Sequence, residues 1–148
     1  MVRAVLAVVV GLFAMLAINM LGIAGMWFGL GWQFAFEGNG PRASNGWIFG
    51  MLCGGLAGTF VGGYLCSAVA GSRRRAAVMS LSGLALVLAL LGAMMGKSVE
   101  QSRLPQGKSA AQLNFAEASE YAVSPAWYYL TSGILGPSVV WLGGRRRN

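Results

Sequence analysis

Cys53, Cys66 and four glutamates, Glu37, Glu100, Glu117 and Glu120, are the side chains of this sequence best suited to nucleophilic, redox or acid-base chemistry; there is no histidine and no aspartate. Their placement argues against such chemistry. Thirteen positions apart on one apolar helix, the cysteines lie about 20 Å from each other at about 1.5 Å per residue, which rules out a disulfide within the chain. Neither sits where disulfide-generating enzymes of four spans hold their outer cysteine pairs, so each reads as a small packing residue. Without histidine the chain by itself excludes bis-histidine haem, imidazole metal sites and a Ser-His-Asp triad. No Glu or Lys falls inside an apolar run, which removes the proton relays and coupling-ion carboxylates of active transporters. The expectation is a protein that is not an enzyme, with no cofactor and no metal.

The sharpest local pattern is structural. Gly46, Gly50, Gly54, Gly58 and Gly62 recur at every fourth position, continued by Cys66 and Ala70. Gly55, Thr59 and Gly63 repeat the spacing on the next ridge, while Phe49, Leu56, Phe60 and Tyr64 fill the opposite side. Helices in lipid gain little from the hydrophobic effect on associating, and small residues four apart let backbones approach until dispersion holds them. The ridge is expected to pack against the chain's other helices, whose small residues include Ala7, Gly11, Gly25, Gly29, Ala85, Ala89 and Ala93, or to form the seam of a symmetric oligomer, with a pore as one version. Among polar residues in apolar runs (Thr59, Ser80, Ser82, Thr131, Ser132 and Ser138), Asn19 is the costliest to bury and is expected to act as packing glue through a hydrogen bond across the bundle. Serine and threonine can bond to their own helix.

Four apolar runs must position these residues. A chain that is 56% hydrophobic and 10% charged, with a mean hydropathy of +0.62, belongs to the membrane class. The fold expected is all-α, a single domain over 1–148: a bundle of four transmembrane helices spanning about 4–30, 46–70, 76–95 and 124–143. Outer loops cover 31–45 and 96–123, and an inner hairpin 71–75 makes the second and third spans antiparallel. Met1-Val2-Arg3 and a small-residue Gly22-Ile23-Ala24 resemble a cleavable signal peptide, but the apolar stretch outruns the usual core of about 7–15 residues, so the first run is read as an uncut span. Ser124-Pro125 is expected to open the fourth span and Pro137 to kink it.

Threaded as alternating spans, the chain places Arg3, Arg73, Arg74, Arg75, Arg145, Arg146 and Arg147 on one face, which accounts for the whole net charge of +7. On the other face Arg42, Lys97, Arg103 and Lys108 balance the four glutamates. Short loops rich in Arg and Lys stay cytoplasmic, so both termini are expected there, in a bacterial inner membrane. Arginine triplets beside spans suit anionic lipid headgroups at that face; without an extended basic groove they do not suit nucleic acid. Trp27, Trp32, Trp47, Trp127, Tyr128, Tyr129 and Trp141 mark the water boundaries. In the second outer loop, Ser109 and Gln112 read as a capping box opening a short helix that lays Leu113, Ala116 and Tyr121 on the membrane surface. A shift of 72 residues equates Gly11-Leu12 with Gly83-Leu84 and the arginine triplets with each other, a pattern of duplication that apolar composition also produces cheaply.

The function expected is packing: an accessory subunit of a membrane complex, or a homo-oligomer. The alternative is a passive channel or facilitator of several copies, lined by Asn19, Thr59 or Thr131. The partners expected are the lipid bilayer, other membrane subunits and further copies of the chain.

Overall fold

The computed structural model describes residues 2–38, 42–95, 112–115, 117 and 123–145. It is helical: α1 Val2–Leu30, α2 Trp32–Ala35, α3 Asn45–Ala70, a 3-10 turn Gly71–Arg73, α4 Arg74–Met95 and α5 Ala126–Arg145. No strand forms among the described residues; Phe36 with Ala43 and Arg42 with Val123 make isolated bridges.

Two stretches are long and apolar enough to cross a membrane, Val2–Leu30 and Asn45–Met94, with mean hydropathies of 2.6 and 2.2. Straight, the second would run about 75 Å. It does not run straight. Gly71 has φ 61°, a value that favours glycine, and there the chain reverses. Ala70 and Cys66 thus share a core with Ala77 and Leu81. The hairpin expected over 71–75 is tighter than that, since Arg74 and Arg75 already belong to the first turn of α4. Helix α5, carrying Thr131, Ser132, Pro137 and Ser138 between aromatic ends, is less apolar and is not one of those two stretches. It begins at Ala126, and Tyr128 N–H donates to Pro125 C=O at 3.0 Å, so the proline stands just outside the helix.

Helix α3 is central. α1 runs antiparallel to it, with Met26 beside Gly50, Ile18 beside Gly58 and Gly11 beside Gly62. α5 runs parallel to α3, with Gly136 beside Thr59 and Val140 beside Gly63. α4 closes on α5 antiparallel, through Val78 with Gly144 and Ala89 with Gly133. Gly11 is packed, whereas Gly83, its equivalent under the 72-residue shift, meets no neighbour, so the two positions are not structurally alike.

Two cores result. One, at the end where the arginines gather, holds Ala7, Cys66, Ala70, Leu81 and Val140. The other, at the loop end, holds Ala35, Phe36, Ala43, Trp47, Ile48 and Leu113. Trp47 and Leu113, both 6% exposed, are interior residues of the chain, so Leu113 is not laid open on a surface as expected. The connection between α1 and α3 folds back over the bundle end to enclose them: Ser44 N–H donates to Ala35 C=O at 2.9 Å and Ala43 N–H to Val123 C=O at 3.3 Å. Outside both cores, Phe13, Leu21, Phe49, Met79, Met94 and Ile134 are exposed and form an apolar girdle. Only 17% of the most apolar part of each long stretch is buried, unlike the core helix of a soluble protein.

Candidate functional site

The glycine ridge is where helices meet backbone to backbone. A Cβ on Gly62 would stand 2.7 Å from the Gly11 carbonyl oxygen, and one on Gly11 would stand 2.8 Å from the Gly62 carbonyl oxygen. Gly58 lies against the Met15 carbonyl at 3.0 Å by the same measure. Further along, Gly50 is filled by the Met26 thioether and Gly46 by the Phe34 ring, while the Cβ position of Gly54 is open. One ridge therefore makes two kinds of contact: backbone on backbone at Gly58 and Gly62, with the Met15 side chain also against Gly62, and flexible side chain alone at Gly46 and Gly50.

A second crossing lies on the adjacent ridge. A Cβ on Gly63 would overlap the Val140 carbonyl, and one on Gly143 would overlap the Phe60 carbonyl, so α3 and α5 interlock through glycines of both helices. Gly143 was not among the expected packing residues. Its signal was present in the sequence as Gly136 and Gly143, seven apart, but a single pair spaced so is common.

Asn19 is half-buried and its amide oxygen lies over Gly55, 3.7 Å from where a Cβ would be. Thr59 Oγ1 donates to Leu56 C=O at 2.8 Å, Ser132 to Tyr129 C=O at 3.1 Å and Ser138 to Ile134 C=O at 3.0 Å, all within their own helices. Ser82 differs: its hydroxyl crosses to Pro137 C=O at 3.3 Å and ties α4 to α5. A cleft of about 150 Å³ lies between Gly55, Thr59, Ala85, Ala89, Ser132 and Gly136, where small residues of three helices face one another.

At the other end of the bundle the cations converge. Arg3 Nε donates to Val69 C=O at 3.1 Å, satisfying a last-turn carbonyl of α3 and fastening α1 to it. The Arg145 guanidinium lies over the Trp141 ring at 5.0 Å. Arg74, Arg75 and Arg145 line one cavity between the start of α4 and the end of α5, and Arg73 lies beside it on the turn. Arg146 and Arg147 lie outside the described residues.

Compared with protein-family models, with curated proteins and with solved structures, the chain matches none. Its own geometry carries the functional reading.

Among the described residues, which leave out Glu100 and Glu120, the reactive groups stay apart. Cys66 is buried in the core of the arginine end, and Cys53 is exposed on the bundle's flank. No cluster of three or more metal-ligating side chains occurs among the described residues. Glu37 pairs with Arg42 at 3.4 Å on the surface of the loop end. Glu117 accepts from Asn114 N–H at 3.1 Å while Asn114 Oδ1 accepts from Glu117 N–H at 2.9 Å, a reciprocal capping pair. The capping box expected at Ser109 falls, up to Ala111, outside the described residues, as do Ala116 and Tyr121. Asn114-Phe115-Ala116-Glu117 carries the same signature with Asn as the cap, which a search limited to Ser and Thr passes over.

Proposed function

We propose that this chain is a four-span integral protein of a bacterial cytoplasmic membrane, with α1, α3, α4 and α5 as spans and both termini cytoplasmic. It acts by helix packing and not by catalysis, as an accessory subunit of a larger membrane complex or as a homo-oligomer. The observation that carries this reading is the separation of surfaces: arginines from three helix ends and the turn between α3 and α4 gather at one end, an apolar girdle follows, and an aromatic-rich loop structure closes the other end. Positive charge in short loops stays on the cytoplasmic side, which orients the bundle.

Because α1 covers Gly58 and Gly62, that part of the ridge is used within one chain. One face open to a partner helix is the loop-end half of α4, where Leu86, Val87, Leu90, Leu91 and Met94 are exposed; the outward side of α1 is another, with Phe13 and Leu21. Of the residues expected to line a channel, Asn19, Thr59 and Thr131, Thr59 has its hydroxyl engaged on its own helix, which weighs against that residue as polar lining.

Native mass measurement of the protein extracted from its own membranes in mild detergent tests the proposal. A heavier species containing other polypeptides supports an accessory subunit, and a small multiple of 15.5 kDa supports a homo-oligomer. Either assembly should dissociate with Leu91→Glu. A bare monomer from the gentlest extraction, unchanged by that substitution, would refute both.

A further inference from the structure

We infer that the arginine end holds one anionic phospholipid in a built site between α4 and α5. The inference rests on the membrane reading above and goes beyond general attraction to the bilayer. Its first part is the cavity of about 460 Å³ that Arg74, Arg75 and Arg145 line together with Val78, Trp141 and Gly144. Three arginines from two helices line one space, and no acidic residue lines it among the described residues. Guanidinium groups offer paired N–H donors that match the oxygens of a phosphate. Arg145 lies over the Trp141 ring, 5.0 Å from its centre, a contact that holds the side chain beside the cavity. Gly144, without a side chain, lets Val78 of α4 pack against α5, so the two helices meet closely at the edge of the cavity.

The second part is what lies below. A further cavity of about 580 Å³ is lined by Met79, Ser82, Pro137, Ser138, Trp141 and Leu142. It shares Met79 and Trp141 with the first, so the two adjoin along the α4–α5 seam. Although two serines line it, their hydroxyl hydrogens are spent: Ser82 donates to Pro137 C=O at 3.3 Å and Ser138 to Ile134 C=O at 3.0 Å. Pro137 has no N–H to offer. A groove so lined accepts hydrocarbon.

Cationic mouth and apolar groove together fit a molecule with an anionic phosphate at one end and an acyl chain at the other. A free phosphate would use only the mouth, and a zwitterionic lipid would bring its own cation to the guanidinium groups. Trp141, shared by both parts, lies where the glycerol of a bound lipid would pass, at the depth where tryptophan rings collect in membranes.

The test uses the full chain in nanodiscs of mixed anionic and zwitterionic phospholipid, followed by release into detergent and native mass spectrometry of the lipid that stays bound. One anionic phospholipid per chain should be retained above its share of the bilayer. Arg75→Gln and Arg145→Gln should each lower that retention about fivefold, the effect of one cation at a membrane surface. Arg73→Gln removes the same charge two residues away, outside the cavity, and should leave retention unchanged. Ser138→Trp keeps every cation, fills the groove and should also abolish retention. Inorganic phosphate at millimolar concentration should not displace the lipid. Lipid retained in bilayer proportions, equal losses with Arg73→Gln and Arg75→Gln, or full retention with Ser138→Trp would each overturn the inference. A chain that fails to enter nanodiscs at all would overturn the membrane reading instead.

Discussion

The two halves of α3 use the same four-residue glycine repeat to different ends. Toward the arginine end, Gly58, Gly62 and Gly63 bring three backbones together, and Leu81, fully buried, fills the space they leave. Toward the loop end, Gly54 faces open space, Gly46 and Gly50 are covered by side chains, and a cleft remains between α3, α4 and α5. The difference lies in what faces the ridge. Where α1 presents Gly11 the backbones touch; where it presents Met26 a flexible side chain covers Gly50, and a Cβ on Gly22 would still lie 4.0 Å from the Gly54 Cα. A small-residue repeat therefore sets how closely a helix can be approached, and its partner decides where that approach happens. In exchange the loop end gains a core of folded loop, with Trp27 meeting Trp47 edge-on at 6.2 Å and Phe115 at 5.9 Å.

The strongest way to break this contrast is to add bulk at the tight crossings. Gly63→Leu drives a side chain into the Val140 backbone and Gly62→Leu one into Gly11, and neither backbone can move away without separating helices. Each should cost about 3 kcal/mol or more and lower the thermal midpoint in detergent sharply. Leu81→Ala, which leaves the backbones alone and empties the space between them, should cost about 2–5 kcal/mol in a denaturation titration. At the other half the sign should reverse. Gly54→Ala, with nothing within 4 Å of the added carbon, should stabilise by about 0.4–1 kcal/mol, and Gly62→Ala on the same ridge should destabilise. Ser82→Ala, which removes one hydrogen bond between helices, should cost about 0.6 kcal/mol. Least of all, Glu37→Gln breaks an exposed ion pair and should change stability by about 0–1 kcal/mol.

Much of the helical layout was legible because apolar runs and their breakers mark it. Gly31, at φ 79°, ends α1, and Gly71 turns α3 into α4. The close approach at Gly58 and Gly62 follows from side chains that are absent, a property a sequence displays directly. What could not be read is which partner each ridge meets. Nothing local distinguishes Gly54, left open, from Gly62, pressed against Gly11, since both have the same spacing and similar neighbours. Likewise Trp47 reads as a boundary residue by type and by distance from the loop, yet Ser44 caps α3 by accepting from Trp47 N–H at 3.0 Å and donating to Phe34 C=O. That cap turns the loop over the ring and makes Trp47 interior. Such burial depends on a loop folding back, a long-range event that hydropathy and spacing do not encode.

Topology is the most direct measurement. In a chain whose Cys53 and Cys66 are replaced, single cysteines introduced as Ser72→Cys, Glu37→Cys and Asn114→Cys report on the two ends of the bundle. A membrane-impermeant thiol reagent added to intact cells should label Glu37→Cys and Asn114→Cys, and reach Ser72→Cys only after the membrane is opened. Labelling of Ser72→Cys in intact cells, or equal labelling of all three, would contradict a four-span bundle with its arginine end in the cytoplasm.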